Sequence, residues 1–99
     1  MATFSNAAWS APTVSDFGGD VGRYCSACLI DMNPAGQAKT AENCKLPYKE
    51  PSGAINRNAL RAISAVLAGA RGGVQAPASD KAAATRKLAS LKRQAGIGG

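Results

Sequence analysis

The stretch that most constrains this chain is residues 45–73, KLPYKEPSGAINRNALRAISAVLAGARGG. Pro47 and Pro51 fix their own φ and push the residue before each towards extended geometry, which excludes residues 46–51 from a helix. Ser52-Gly53 is a turn pair. Asn56 or Asn58 can then cap a helix by accepting the orphan N–H groups of its first turn. From Ala59 to Ala70 nearly every residue favours helix, and Gly72-Gly73 offers a left-handed stop. Leu60, Ile63 and Leu67 recur at spacings of three and four and define an apolar side, widened by Val66 and by Ala59, Ala62 and Ala70.

Opposite Val66, at about 100° per residue, Arg57, Arg61, Ser64, Ala68 and Arg71 fall within about 80° of one another. This arginine stripe reads either as the solvated side of an amphipathic helix or as a contact face for carboxylates or phosphates, which suit Arg better than Lys.

Ninety-nine residues allow one domain with a modest core. The net charge of +6 is uneven: residues 1–50 carry four basic and five acidic groups, residues 51–99 eight and one. That asymmetry favours an acidic or nucleic-acid neighbour for the second half. All five aromatics lie in the first half, so stacking on single-stranded bases is poorly supported. No apolar run approaches a membrane span, and the first residues, MATFSNAAWSAP, lack the blocks of a secretory signal. The expected setting is the interior of a cell, or a particle assembled there, with reduced cysteines.

Residues 1–15 read as an extended arm whose large apolar groups, Phe4 and Trp9, pin it to its own domain or dock it onto a neighbour. Residues 16–96 read as a single helical domain and 97–99 as a tail. Ser15 or Asp16 is expected to cap a helix running to about Asp31, weakened by Gly18, Gly19 and Gly22. Residues 33–44 read as a polar loop. Ser79 is expected to cap a last helix in which Ala84, Leu88, Leu91 and Ala95 form one narrow stripe, with basic residues around the rest. The resulting expectation is a mainly α fold: a small three-helix domain with a C-terminal antiparallel helical hairpin and an extended N-terminal arm.

Chemistry is sparse. Cys25-x-x-Cys28 with Cys44 invites a zinc reading, but there is no His and no fourth Cys, so Asp20, Asp31 or Glu42 would have to complete the set. Buried thiols are the simpler reading, with a Cys28–Cys44 or similar bridge as another, and no metal or other cofactor is expected. Without His, a Ser or Cys nucleophile lacks its commonest base, and no phosphate-cradling loop is present, so an enzyme is not expected. A helix-turn-helix would need a tighter turn than the roughly seven residues that join the two C-terminal helices, and more base-reading side chains than Asp80-Lys81-Ala82-Ala83.

The run CKLPYKEPSGAINRNALRAISAVLAGARGGV, the upstream YCSACLIDMNPAG and the Lys/Arg/Ala-rich segment that follows resemble a small domain of tailed bacteriophages. In those genomes it is free or appended to larger proteins of the head-assembly gene block. The likeness covers roughly residues 20–95, and KLP-x-x-EP-x-G-x-x-NRNA is its most specific part. The resemblance implies a virion protein (minor capsid, cement or decoration protein) whose partner is the major capsid protein or another head protein. Packaged DNA would at most be touched through non-specific phosphate contacts, and no membrane is involved. On this reading Phe4 and Trp9 anchor the arm, while Arg57, Arg61 and Arg71 face acidic capsid surface or DNA. The alternative is a small basic DNA-contacting or regulatory helical protein.

Overall fold

The computed structural model describes residues 3–69 and 73–97. Among these residues the element order is β1 (Phe4–Ser5), a 3-10 turn (Val14–Phe17), α1 (Val21–Ser26), β2 (Cys28–Asp31), a second 3-10 turn (Ala41–Asn43), β3 (Cys44–Pro47), β4 (Ile55–Asn56), α2 (Arg57–Leu67) and α3 (Ala78–Gln94). The expected mainly α hairpin fold is therefore wrong: three helices share a mixed domain with two small two-stranded sheets. β2 and β3 run antiparallel, pairing Cys28 with Pro47, Ile30 with Lys45 and Asp31 with Cys44. β1 and β4 run parallel, pairing Phe4 with Ile55 and Ser5 with Asn56. No described helix is long and apolar enough to cross a membrane.

The single helix expected over residues 16–31 breaks into three pieces. Gly18 and Gly19 take φ of 71° and 79°, a left-handed pair that no helix continues through. Asp20, not Ser15 or Asp16, then caps α1 by accepting from the Arg23 N–H at 3.1 Å. Helix gives way to strand at Cys28, where Cys28, Leu29, Ile30 and Asp31 are buried, half-buried, buried and exposed in turn. That is the period of two of a strand, over a run too short to announce itself.

α2 starts where the sequence indicates, with Asn56 accepting from the Ala59 N–H at 2.9 Å. It stops at Leu67, ahead of Ala70 and the expected Gly72-Gly73 stop, because Gly69 already takes a φ of 108°; Ala70, Arg71 and Gly72 lie outside the described residues. α3 begins at Ala78, so Ser79 sits inside it and makes no cap; the Pro77 carbonyl takes the first-turn Lys81 N–H at 3.0 Å instead. Its stripe of Ala84, Leu88, Leu91 and Ala95 is buried throughout.

The main core gathers Tyr48, Ile55, Ala59, Leu60, Ile63, Leu88, Leu91 and Ala95, with Phe4, Trp9, Leu29, Leu46, Leu67 and Ile97 packed around it. A second, smaller cluster holds Cys25, Cys28 and Cys44 beside Val21 and Tyr24. Leu46 is the hinge between them: Cys44 belongs to the small cluster, Leu46 to the rim of the large one, and between them β3 turns at a Leu46 φ of 63°. An L-residue other than Gly, Asn or Asp in that region costs roughly 1–2 kcal/mol. Leu46→Gly removes this cost along with the side chain. It should therefore destabilise the protein by about 1–2 kcal/mol less than Leu29→Gly, also a half-buried leucine on the same core, when both are compared by urea unfolding.

Candidate functional site

The arm is stitched to its own domain by the Asn56-Arg57-Asn58 run. Asn56 is fully buried, and its Nδ2 donates to the Ala7 carbonyl (3.0 Å) and to Glu50 Oε2 (2.8 Å). Asn58 Nδ2 donates to the carbonyls of Ala7 (2.9 Å) and Asn6 (3.3 Å). Arg57 donates from Nη1 to Asn6 Oδ1 (3.0 Å) and from Nε to the Ala95 carbonyl at the end of α3 (2.9 Å), with its guanidinium 5.2 Å from the Phe4 ring centroid. Ser5 and Asn56 hold the Glu50 carboxyl below the usual carboxylate range by donating to it. The most specific part of the sequence motif thus makes a latch that closes strand β1, helix α2 and helix α3 onto one another.

This placement divides the arginine stripe. Arg57 and Phe4 are half-buried and face each other inside the fold. Ser64, on the same side of α2, accepts from Lys92 Nζ of α3 at 3.3 Å. Part of the side that sequence periodicity turned outward, at Arg57 and Ser64, is therefore a helix–helix seam. Arg61 alone of the described stripe arginines is exposed, bonded locally to Asn58 Oδ1 at 2.9 Å; Arg71 lies outside the described residues. Arg57→Ala should accordingly cost about 2 kcal/mol, the range for hydrogen bonds from a charged group, and Arg61→Ala less than about 0.5 kcal/mol, both read from chemical denaturation.

Trp9 is half-buried against the main core, and its outer side forms one wall of a cleft of about 430 Å³. Leu46 and Pro47 of β3 and Ala62, Ile63 and Val66 of α2 supply the other walls, with Ser10 and Ala11 continuing the arm. Sequence reasoning placed Trp9 in an anchoring role but missed the other walls. The signal for them was Ala62 and Val66, a small and a medium apolar residue one turn apart on the side away from the arginines.

A second constellation lies beside the antiparallel pair. Cys25 and Cys44 form a disulfide, and Cys28 is a buried free thiol that donates to the Tyr24 carbonyl at 3.3 Å. The all-thiol reading does not describe this arrangement; a bridge is present, similar to the Cys28–Cys44 alternative but made by Cys25 and Cys44. Burial pushes the Cys28 thiol up to about 11. Asp31 stands opposite Cys44 in the β2–β3 register, and the Lys39 ammonium that pairs with it, with help from the Asn33 N–H, keeps its carboxyl below the ordinary value. Comparison of the chain with protein-family models, with curated proteins and with solved structures finds no match in any of the three.

Proposed function

We propose that this chain is a structural protein of a bacteriophage head, a minor capsid, cement or decoration protein that binds the capsid shell through the Trp9 cleft. The observation that carries the reading is the cleft itself. A small basic domain leaves an apolar hollow with a Trp wall open at its surface. The resemblance in residues 20–95 supplies the setting. The occupant is an apolar segment of the major capsid protein, matched to the cleft walls Trp9, Leu46, Pro47, Ile63 and Val66. Repetition over a symmetric lattice turns one modest contact per site into firm attachment.

Ala62 is exposed, so Ala62→Asp leaves folding intact while placing a carboxylate in the cleft wall. Co-sedimentation with shells assembled from the co-encoded major capsid protein should fall at least tenfold for this variant and stay unchanged for Arg86→Ala, at an exposed position of α3. Equal sedimentation of wild type and Ala62→Asp would end the cleft reading. Failure to sediment at all, with duplex binding that weakens steeply as salt rises, would put the DNA-contacting alternative in its place.

A further inference from the structure

We propose that in its reduced state the chain binds one thiophilic divalent cation of the zinc type through Cys25, Cys44 and Asp31. The sulfurs of both cysteines and a carboxylate oxygen of Asp31 all lie within 4.8 Å of one another. All three sit on regular secondary structure. Cys25 is on α1, and Asp31 and Cys44 are direct partners across β2 and β3.

The side-chain amide of Asn33 shows where a cation would sit. Its Nδ2 is 2.8 Å from Asp31 Oδ1, 3.2 Å from Cys44 Sγ, 3.2 Å from the Thr40 carbonyl and 3.9 Å from Cys25 Sγ. Its Oδ1 is committed elsewhere, to the Thr40 N–H at 2.8 Å, which settles which way the amide points. Four acceptors therefore converge on one nitrogen that carries two hydrogens. Two sulfurs and a carboxylate are the donor set of a soft-to-borderline cation, not of calcium or magnesium.

Formation of the site is balanced as follows. A small dithiol reductant transfers two electrons and two protons to the Cys25–Cys44 bond and is itself oxidised to a disulfide, leaving two thiols. The cation then displaces both thiol protons, and the Asn33 amide swings aside. Two thiolates, one carboxylate and a divalent ion leave one negative charge, which the Lys39 ammonium already paired with Asp31 offsets. Water takes the fourth tetrahedral place.

The test is anaerobic titration of the reduced full-length chain with Co²⁺, then competition by Zn²⁺. The expected result is a 1:1 complex with a thiolate-to-cobalt charge-transfer band and tetrahedral visible bands, abolished by Zn²⁺ and not formed by the disulfide form. Cys25→Ser and Cys44→Ser should each weaken binding at least 100-fold and Asp31→Asn at least tenfold, while Cys28→Ser and Lys39→Ala keep the band. Far-UV circular dichroism of each reduced variant with excess Zn²⁺ separates loss of a ligand from loss of the fold. No 1:1 band in the reduced wild type, a band that survives Cys44→Ser, or unchanged affinity in a folded Asp31→Asn would overturn the site. Loss of the band in Cys28→Ser would overturn it too, by moving the ion to the Cys25-x-x-Cys28 pair.

Discussion

Asn56→Asp should cost this protein about 3–5 kcal/mol at pH 7 and lower its melting temperature by roughly 15–30 °C, the scale expected for a domain of this size. Asn56 is wholly buried at the start of α2, and its amide uses both ends. Oδ1 caps the helix, while Nδ2 binds the Ala7 carbonyl and the Glu50 carboxylate. Aspartate keeps the cap oxygen and replaces the donor with a second acceptor, so two carboxylates face each other with no hydrogen bond between them. Asn56→Ala should be milder, about 2 kcal/mol, from the lost cap and the two lost hydrogen bonds, since Asn58 still donates to the Ala7 carbonyl and Ser5 to Glu50.

The sign of the pH dependence separates this mechanism from a mere packing defect. In the wild type the Glu50 carboxyl lies below its ordinary value because Ser5 and Asn56 donate to it. A depressed folded value contributes stability that is present above the unfolded pKa, near 4.3, and is lost as pH falls through the folded one. In Asn56→Asp the paired carboxylates raise one folded pKa above its unfolded value, so stability is present at low pH and lost as pH rises. The difference in melting temperature between the two proteins should shrink between pH 7 and pH 4. Glu50→Gln in the Asn56→Asp background should recover part of it at pH 7. A variant that melts within a few degrees of wild type at pH 7, or a gap that ignores pH, would rule out the charge confrontation. Since the same amide holds the arm, proteolysis between residues 3 and 9 should accelerate before the rest of the chain is cut.

The parts of the fold visible in the sequence are those with a long repeating signal. Leu60 and Ile63, and the stripe of Ala84, Leu88, Leu91 and Ala95, recur over enough turns for helical spacing to identify them, and they are buried. The strands are two to four residues long, below the length at which alternation can be distinguished from chance, and Cys25, Cys28 and Leu29 happen also to fit one side of a helix. The arginine stripe was legible only in part, for another reason: Arg61 is exposed, whereas Arg57 is drawn into the fold. A helical wheel shows which residues share a side but not what packs there, and Arg57 and Ser64 have hydrogen-bonding groups that can serve a helix seam as well as solvent. The cleft shows the same limit. Trp9, Leu46 and Ala62 come from three separate segments, and the β1–β4 pairing with the latch on Asn56, Arg57 and Asn58 brings the arm across α2 to join them.

Reduction of Cys25–Cys44, with a chelator present, should remove about 3 kcal/mol of stability, the loop-closure value for cysteines 19 residues apart. Cys44→Ser in the oxidised buffer should match it, whereas Cys28→Ser should stay within about 1 kcal/mol, because that thiol forms no bridge. The loss should be uneven across the molecule. The bridge ties the end of α1 to the start of β3, and residues 34–40 between them are exposed, with no apolar anchor of their own. Amide exchange at Met32, whose N–H donates to the Asn43 carbonyl, should therefore rise on reduction before that of Leu60 or Leu88 in the main core. Cys28 will not reshuffle the bridge at neutral pH, because a thiol pushed up to about 11 carries almost no thiolate there. Incubation of the oxidised protein near pH 10–11 should start that exchange and yield Cys25–Cys28 or Cys28–Cys44 isomers, detectable by peptide mapping. Isomers forming equally fast at pH 7 would mean that Cys28 is exposed in solution and that the small cluster does not hold as described.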